Sequence, residues 1–306
     1  MPFSLSDFSN QAADTVEAAS RSVAALEARR WRSSSAILWQ PGVLVSASHS
    51  IERVEDIAVT LPGGEHVRAT LAGRDSGTDL AVLKFGDTGD EPAVPRASTP
   101  PRPGELTLVV GRTPDSGVIA GIGIIATAGG PWRTWRGGRL DQTLRLDFPL
   151  TPSLSGSLAV NALGQAVGLA TAGLSRVNGM IVPFETIDRV VRTLLARGHM
   201  PRGYLGLGLQ PVALPAAERE RLGRQEAAAM IVLQVEPDSP ASKAGFLLGD
   251  ILLELGGKIV SETSHVFGQM EPESVGKSLM ARVLRGGQVM EFALLVAESP
   301  RQGERG

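Results

Sequence analysis

The chain has 306 residues, of which 42% are hydrophobic and 20% charged, and its formal net charge at pH 7 is -2. This length allows two or three compact domains, and the composition is typical of globular proteins. The small net charge favours neither a nucleic-acid partner nor a membrane partner. Because there is no cysteine, disulfide bonds, zinc–thiolate sites and a cysteine nucleophile are excluded. We predict no metal and no other cofactor.

The beginning of the chain predicts a helix over residues 5–20. Phe8, Ala12, Val16 and Ala19 recur at helical spacing, and Ser6 or Asp7 is expected to cap the helix. The segment has no basic region and no continuous apolar stretch, so it resembles neither a signal peptide nor a membrane span. We therefore predict a cytoplasmic location, or a periplasmic one if a leader has been trimmed from the sequence.

From about residue 23 to residue 173 the chain alternates short apolar runs with glycine and proline turns. The stretch "LPGGEH" is typical of a β-hairpin. Many short strands at this spacing predict a β-barrel or a β-sandwich, not a parallel α/β sheet.

A second helix is predicted in "VPFETIDRVVRTLLARGH", with Gly198 as its C-cap. Its apolar stripe consists of Ile187, Val190, Val191, Leu194 and Leu195. The remaining segment, from Tyr204 to about Glu298, predicts a separate small domain of strands with two short helices.

The histidines point to the chemistry. The chain has four of them: His49, His66, His199 and His265. Only His49 lies after an apolar strand and is followed first by Asp79 in "RDSGTDLAVLKF" and then by Ser155 in "TPSLSGSLAV". The order His, Asp, Ser is that of chymotrypsin-like folds. A serine hydroxyl becomes nucleophilic when an imidazole accepts its proton, and a buried carboxylate orients that imidazole.

Longer segments resemble the HtrA/Deg family of trypsin-like serine proteases with a C-terminal PDZ domain. "VLVSASHSIERVEDIAVTLPGGEHVRATLAGRDSGTDLAVLKF" is similar to the family's His-to-Asp segment, and "LDFPLTPSLSGSLAVNALGQAVGLATAG" is similar to its nucleophile loop. The resemblance covers about residues 5 to 298. It implies that His49 is the general base, Asp79 its orienting carboxylate and Ser155 the nucleophile.

The same resemblance implies the fold class and the domains. The fold is expected to be mainly β, with a chymotrypsin-like double β-barrel followed by a small α+β PDZ domain. An N-terminal helix (1–22) precedes the protease domain (23–198). A linker (199–203), the PDZ domain (204–298) and a polar tail (299–306) follow.

The nucleophile loop departs from the family pattern. The family's oxyanion hole uses the backbone N–H of the nucleophile and of the residue two positions before it, here Ser155 and Ser153. Its loop usually reads Pro-Gly-x-Ser-Gly-Gly-Pro, whereas this chain reads "PSLSGSL", and "SSSAIL" replaces a glycine-bracketed serine upstream. A residue with a Cβ avoids backbone angles that glycine tolerates, and a flipped peptide at Ser153 would aim a carbonyl at the oxyanion.

Two functions remain open from the sequence. One is a serine endopeptidase of weak or conditional activity that acts on unfolded or partly unfolded proteins. The other is a catalytically impaired pseudoprotease that serves as a peptide-binding scaffold or chaperone.

The resemblance also implies a substrate pocket, in which the strand "LATAG" pairs with the substrate backbone. Nothing places an acidic residue at its base, so we expect an apolar pocket for small or medium aliphatic side chains. Asp147 is expected to be a structural hydrogen-bonding residue. The predicted pocket residues are Leu150, Thr151, Leu169, Ala170 and Thr171.

"PRGYLGLGL" resembles the carboxylate-binding loop of a PDZ domain. The N–H groups of Leu205, Gly206 and Leu207, next to Tyr204, would bind a peptide C-terminus while the peptide adds a strand to the sheet edge. Residues 264–270 would form the groove helix, with His265 packed or facing water.

The stretch "GGPWRTWRGGR" at residues 129–139 has two tryptophans and three arginines, a combination that can stack on nucleic acid. It is one short loop on a slightly acidic chain, and the resemblance places it among the mobile loops beside the active site. We predict no nucleic-acid or membrane partner. Family members commonly form trimers through the protease domain, and the resemblance implies a homotrimer here.

Overall fold

The computed structural model of the chain describes residues 4–29, 32–86 and 94–299. The chain divides into two compact units, residues 1–200 and 201–306, and this division falls inside the predicted linker. Most of the predicted polar tail, residues 300–306, lies outside the described residues. Among the described helices, none combines the length and the apolar character that a membrane crossing needs.

Six antiparallel strands of the first unit close into a barrel, because β1 pairs with both β2 and β4. Leu26, Leu44 and Leu83 are fully buried among the apolar residues that fill it. The predicted "LPGGEH" hairpin is confirmed as the turn that joins β4 to β5. The strands are β1 (Val23–Arg29), β2 (Arg32–Gln40), β3 (Val43–Ala47), β4 (Ile57–Thr60), β5 (His66–Asp75) and β6 (Leu80–Lys84).

Six further strands of the same unit form a second closed barrel, in the order β11-β14-β13-β12-β7-β8. The small strands β9 (Trp132–Arg133) and β10 (Arg139–Leu140) pair with each other outside it. The barrel strands are β7 (Leu106–Thr113), β8 (Gly117–Gly129), β11 (Thr143–Leu146), β12 (Ser157–Asn161), β13 (Ala166–Thr171) and β14 (Met180–Pro183). The predicted double barrel is confirmed.

Two helices pack on the first unit. Helix α1 (Leu5–Ser20) has the predicted bounds, but its N-cap is Ser4, whose hydroxyl accepts a hydrogen bond from the Asp7 N–H, and not Ser6 or Asp7. Helix α2 (Phe184–Arg197) ends at Gly198, which takes a left-handed φ of 74° as expected of a glycine C-cap.

The second unit is built on a sheet in which β16 is an edge strand and β17, β18, β20 and β21 follow in that order. Three described helices accompany it, one more than the sequence predicts: α3 (Ala216–Arg221), α4 (Pro240–Ala244) and α5 (Thr263–Phe267). The larger strands are β16 (Leu207–Ala213), β17 (Ala228–Val235), β18 (Ile251–Leu255), β20 (Ser278–Arg285) and β21 (Gln288–Leu295). The shorter strands are β15 (Gly203–Tyr204) and β22 (Ala297–Glu298), which pair together, and β19 (Lys258–Ile259), which pairs with β18.

Helix α2 offers a direct test of the core. Leu194 is 1% exposed and packs in a cluster shared by both barrels, whereas its neighbour Leu195 is only partly buried against the same cluster. We expect Leu194→Ala to lower the free energy of unfolding by about 2 to 5 kcal/mol, because it leaves a cavity that the barrels cannot refill. Urea denaturation measures the change. Leu195→Ala is the control and should cost clearly less; equal losses would contradict the described packing.

Candidate active site

The His49 imidazole is held by the carboxylate of Asp79. Its Nδ1 lies 2.8 Å from Asp79 Oδ2, and the His49 backbone N–H donates to Asp79 Oδ1 at 2.9 Å. His49 follows β3 in a short 3-10 turn, and 29% of its side chain is exposed. With Nδ1–H donating to the carboxylate, Nε2 is the nitrogen left to accept a proton.

Asp79 is fully buried and occupies the last position before β6. Its φ of 58° lies in the left-handed region, in which aspartate is enriched among non-glycine residues. The preceding turn is fixed by Asp75, whose carboxylate accepts from the N–H groups of Gly77 and Thr78. Thr134, in the tryptophan-rich loop, donates its hydroxyl proton to the Gly77 carbonyl at 2.7 Å. The turn that carries Asp79 is therefore held by Asp75 and by the loop between β9 and β10.

Thr171 supplies a further partner for Asp79. Its buried hydroxyl donates to Asp79 Oδ2, the same oxygen that faces the imidazole. The sequence assigns Thr171 to the substrate pocket only, so its contact with the carboxylate is a role that sequence reasoning missed. A threonine or serine hydroxyl carries no sequence signal for such a contact, because the two residues are 92 positions apart.

Ser155 lies just before β12 and is fully buried. Its hydroxyl accepts a hydrogen bond from the Ala172 N–H at 3.2 Å. The described residues show no hydrogen bond between this hydroxyl and His49, whose Nε2 has Ser50 Oγ 3.5 Å away. The next residue, Gly173, leaves no room for a side chain, since a Cβ there would lie 2.6 Å from His49 Nδ1. The segment 171–173 thus contacts all three residues of the predicted triad.

The loop before Ser155 forms a single 3-10 turn, Pro152–Leu154. The N–H of Ser155 donates to the Pro152 carbonyl at 3.1 Å, and the N–H of Leu154 donates to the Thr151 carbonyl at 3.0 Å. Ser153 does not belong to the described residues with positive φ. The Pro152 carbonyl therefore accepts from one of the two N–H groups that the sequence assigns to the oxyanion hole, that of Ser155.

Residues 34–169 match the trypsin-like peptidase domain family, and residues 203–296 match the PDZ domain family. The serine endoprotease DegS of Salmonella typhimurium is 28% identical over 278 residues, which are 87% of this chain and 77% of DegS. The solved structure of the HtrA-type protease AlgW with a decapeptide is 26% identical and has a TM-score of 0.74, covering 94% of this chain and 99% of AlgW. The chain therefore combines a trypsin-like peptidase domain with a PDZ domain, and these relatives and structural neighbours are HtrA-type proteases.

A further relative is a probable periplasmic DegP-like serine endoprotease of Halomonas elongata. It is 26% identical over 289 residues, which are 90% of this chain and 58% of that protein.

Only part of the predicted substrate strand, residues 169–173, lies outside the strand pairs of the barrel. Leu169 and Ala170 are paired with β12 along one edge of β13 and with β14 along the other, and Thr171 is paired with β14. Ala172 and Gly173 are the residues of this stretch that follow the end of β13. Leu150 and Thr151 precede the 3-10 turn, and Leu150 lines a small cavity that also contacts His49, Pro152 and Ala172.

Asp147 has a structural partner, as the sequence predicts. Its carboxylate accepts from the Ile124 N–H at 2.9 Å. Leu150 packs against Gly179, where a Cβ would lie 2.6 Å from Leu150 Cγ. These contacts leave aliphatic side chains next to the 3-10 turn.

The predicted carboxylate-binding loop of the PDZ domain has carbonyls that are hydrogen-bonded and two amides that are not hydrogen-bonded to any described residue. Leu205 is buried, and its carbonyl accepts from the Ala241 N–H, while the Gly206 carbonyl accepts from the Glu236 N–H, each at 2.9 Å. In the described part of the chain, the N–H groups of Leu205 and Gly206 have no acceptor. Leu207 begins the edge strand β16, which contacts α5.

The groove helix is confirmed next to β16, although it spans Thr263–Phe267 and not residues 264–270. His265 is 44% exposed and lies near Ser261, in agreement with a side chain that faces water. His66 and His199 bond to Thr60 and to the Arg197 carbonyl, away from Asp79. Within the described ranges, no three His, Asp or Glu side chains are arranged to hold a metal ion.

The Thr171 contact generates a prediction about stability. Replacing Thr171 with valine keeps the side-chain shape and leaves the buried Asp79 carboxylate without one of its donors. We expect the free energy of unfolding at pH 7 to fall by about 1 to 3 kcal/mol, the cost of leaving a buried polar group unpaired. Thr151→Val, at an exposed position, is the control for urea denaturation. If both variants unfold at the same urea concentration as the native chain, the described contact does not stabilise the fold.

Proposed function

We propose that the protein is a conditionally active HtrA-type serine endopeptidase that cleaves unfolded or partly unfolded proteins. The observation that carries the proposal is the segment 171–173, which contacts Asp79, His49 and Ser155. A buried carboxylate that orients an imidazole has a clear catalytic use when a serine hydroxyl contacts the same segment.

In the proposed reaction, the Ser155 hydroxyl attacks the scissile carbonyl carbon while His49 Nε2 takes its proton. The imidazolium then protonates the leaving amine as the C–N bond breaks, and an acyl-enzyme remains. Water, deprotonated by the same imidazole, hydrolyses the ester and returns Ser155. Asp79 stays ionised and stabilises the imidazolium.

The proposed oxyanion donors, Ser153 N–H and Ser155 N–H, require a change in the loop. The Ser155 N–H is bonded to the Pro152 carbonyl, so it cannot bind an oxyanion until the Pro152–Ser153 peptide turns over. The Ser155 hydroxyl must also leave the Ala172 N–H to meet His49. We interpret the loop as a resting state, and activity depends on the free energy of this rearrangement.

The same observations favour the second candidate, a peptide-binding pseudoprotease. Turning the Pro152–Ser153 peptide moves Ser153 toward backbone angles that a residue with a Cβ avoids. If this cost is too high, the loop stays closed, and the PDZ domain and the barrel surface are left to bind peptides without cleaving them.

A glycine at position 153 separates the two functions. We expect Ser153→Gly to raise kcat on casein by up to about 100-fold, the value of one oxyanion donor. The KM should change little, because the oxyanion hole binds the transition state and not the ground state. Adding Ser157→Gly should raise kcat further if packing of the loop is also strained.

Ser155→Ala in each background is the control for contaminating proteases, and a fluorophosphonate probe counts reactive Ser155 directly. Labelling that appears with Ser153→Gly and disappears with Ser155→Ala supports the endopeptidase. If the double-glycine variant is as silent as Ser155→Ala in both assays, the pseudoprotease function replaces it.

We propose an apolar primary pocket that prefers small or medium aliphatic side chains. Leu150 and its contact with Gly179 support this preference, and Asp147, the nearest carboxylate along the chain, is engaged with the Ile124 N–H. The substrate strand would pair with Ala172–Gly173.

The PDZ domain is proposed to bind peptides through their free C-termini. Unpaired amides at Leu205 and Gly206 converge at the start of an edge strand, which is what carboxylate capture with strand addition requires. The solved AlgW relative carries a decapeptide.

A homotrimer remains a proposal from the family resemblance. We favour the periplasm over the predicted cytoplasm as the location of this protein, because the Halomonas relative is a probable periplasmic protease.

Carboxylate capture predicts a difference between free and amidated peptides. Titration of apolar C-terminal peptides by calorimetry should give clearly weaker binding of the amidated forms, because the amide loses the charge that two N–H donors stabilise. Gly206→Ala should abolish binding of both forms, since Gly206 has a φ of 76° and a Cβ there would lie 2.1 Å from Ser239 Cβ. An unchanged melting temperature for this variant shows that the domain is folded. Equal binding of free and amidated peptides would contradict the proposed site.

A further inference from the structure

Ser35 connects the first barrel to the nucleophile loop. It lies on β2 and is fully buried. Its backbone N–H donates to the Ser155 carbonyl at 3.1 Å, and its hydroxyl donates to the Ser153 carbonyl at 2.8 Å. The Arg112 carbonyl is a more distant acceptor, at 3.3 Å, so the hydroxyl proton favours Ser153. Two carbonyls of the loop are therefore bound by one residue of the other barrel.

We infer that Ser35 is a positioning residue whose hydroxyl keeps the nucleophile loop closed. The inference rests on the proposed protease function only for the expectation that opening the loop raises kcat. The bond from the hydroxyl to Ser153 is one that a glycine at position 35 could not make. It stabilises the conformation in which the Pro152 carbonyl accepts from Ser155 N–H.

The geometry of Ser153 explains why this bond opposes opening. Ser153 now lies in the 3-10 turn, with a negative φ. Turning over the Pro152–Ser153 peptide changes φ of Ser153, and in the inferred opening Ser153 also enters the left-handed helical region, with a change of roughly 70° in its ψ. The change in ψ turns the Ser153 carbonyl away from the Ser35 hydroxyl, so the bond exists in the closed loop and breaks in the open one.

The hydroxyl is held on a rigid support. It accepts a hydrogen bond from the Arg112 N–H at 3.0 Å. The Arg112 guanidinium in turn donates to the carbonyls of Ser20 and Val23. Because these partners belong to barrel strands and to the end of α1, the Ser35 side chain cannot follow the loop when it opens.

The site is shaped for a serine at this position. Gly111, opposite Ser35 on β7, has no side chain, and a Cβ there would lie 2.6 Å from Ser35 Oγ and 2.4 Å from Ser157 Oγ. The missing side chain leaves the space that both hydroxyls fill. Ser35 and Ser157, two of the serines that depart from the family pattern, thus share one buried pocket behind the nucleophile.

The test compares Ser35→Ala with Ser46→Ala in the full chain. Both variants lose a buried hydroxyl bonded to a backbone carbonyl, but Ser46 makes no hydrogen bond to residues 151–155. We expect Ser35→Ala to raise kcat on casein by about 2- to 10-fold, the factor that corresponds to one net hydrogen bond, with KM unchanged. Ser46→Ala should not raise kcat.

Hydrogen exchange measures the loop without requiring turnover. The peptide that contains residues 151–157 should exchange faster, by about the same factor, in Ser35→Ala and at the native rate in Ser46→Ala. The melting temperatures of both variants report any general loss of stability. If Ser35 had only a structural role, both variants would lose stability and both would exchange faster to the same extent.

Each outcome is decisive. Faster exchange in Ser35→Ala alone, with a raised kcat, supports the inference. If Ser35→Ala alone exchanges faster but neither the native chain nor any variant cleaves casein, Ser35 still keeps the loop closed and the proposed protease function is contradicted. Unchanged exchange in Ser35→Ala, or equal acceleration in both variants, overturns the inference whether or not the chain is a protease.

Discussion

The hydrogen bond from the Ser155 N–H to the Pro152 carbonyl constrains the whole candidate site. It closes the 3-10 turn and places a carbonyl where an oxyanion would need a donor. It is also compatible with a side chain at position 153, because a 3-10 turn uses ordinary negative φ values. A serine at a position that the family usually gives to glycine is therefore unstrained in this state, and strain arises only when the loop opens.

The two halves of the site differ in rigidity. His49 and Asp79 adjoin paired strands of the first barrel, and the carboxylate has the imidazole, the His49 N–H and Thr171 as partners. The nucleophile half depends on one turn with two internal hydrogen bonds and on the two hydrogen bonds that Ser35 donates to it. Packed barrels have few alternative arrangements, whereas a short turn can rearrange when a few hydrogen bonds break. In the proposed protease, control through the loop alone follows from this difference.

The PDZ loop and the nucleophile loop both have hydrogen-bonded carbonyls, but they differ in whether their amides are also hydrogen-bonded. In the PDZ loop the carbonyls of Leu205 and Gly206 are bound by Ala241 and Glu236, so the amides remain free for a ligand. In the nucleophile loop the carbonyls of Ser153 and Ser155 are also bound, both by Ser35, but the Ser155 amide is used internally. In the proposed functions, the PDZ loop binds an anion without rearrangement, and the nucleophile loop does so only after the Pro152–Ser153 peptide turns over.

Local pattern in the sequence determined the short strands, as a barrel or a sandwich, and helix α2 with its Gly198 cap, because turn chemistry and apolar periodicity are contained in a single stretch of chain. The double barrel and the groove helix of the second unit were predicted from the family resemblance. The sequence also predicted His49, Asp79 and Ser155 as one set from their order, and the structure places all three against the segment 171–173.

Other features were decided by tertiary structure. Of the predicted substrate strand, residues 169–173, only Ala172 and Gly173 lie outside the strand pairs, because the pairing of β13 depends on partners distant in sequence. The contact of Thr171 with Asp79 spans 92 positions and that of Ser35 with Ser153 spans 118. A hydroxyl has the same local pattern whether it faces water or a buried acceptor, so only the closed barrels show which serines and threonines hold the site.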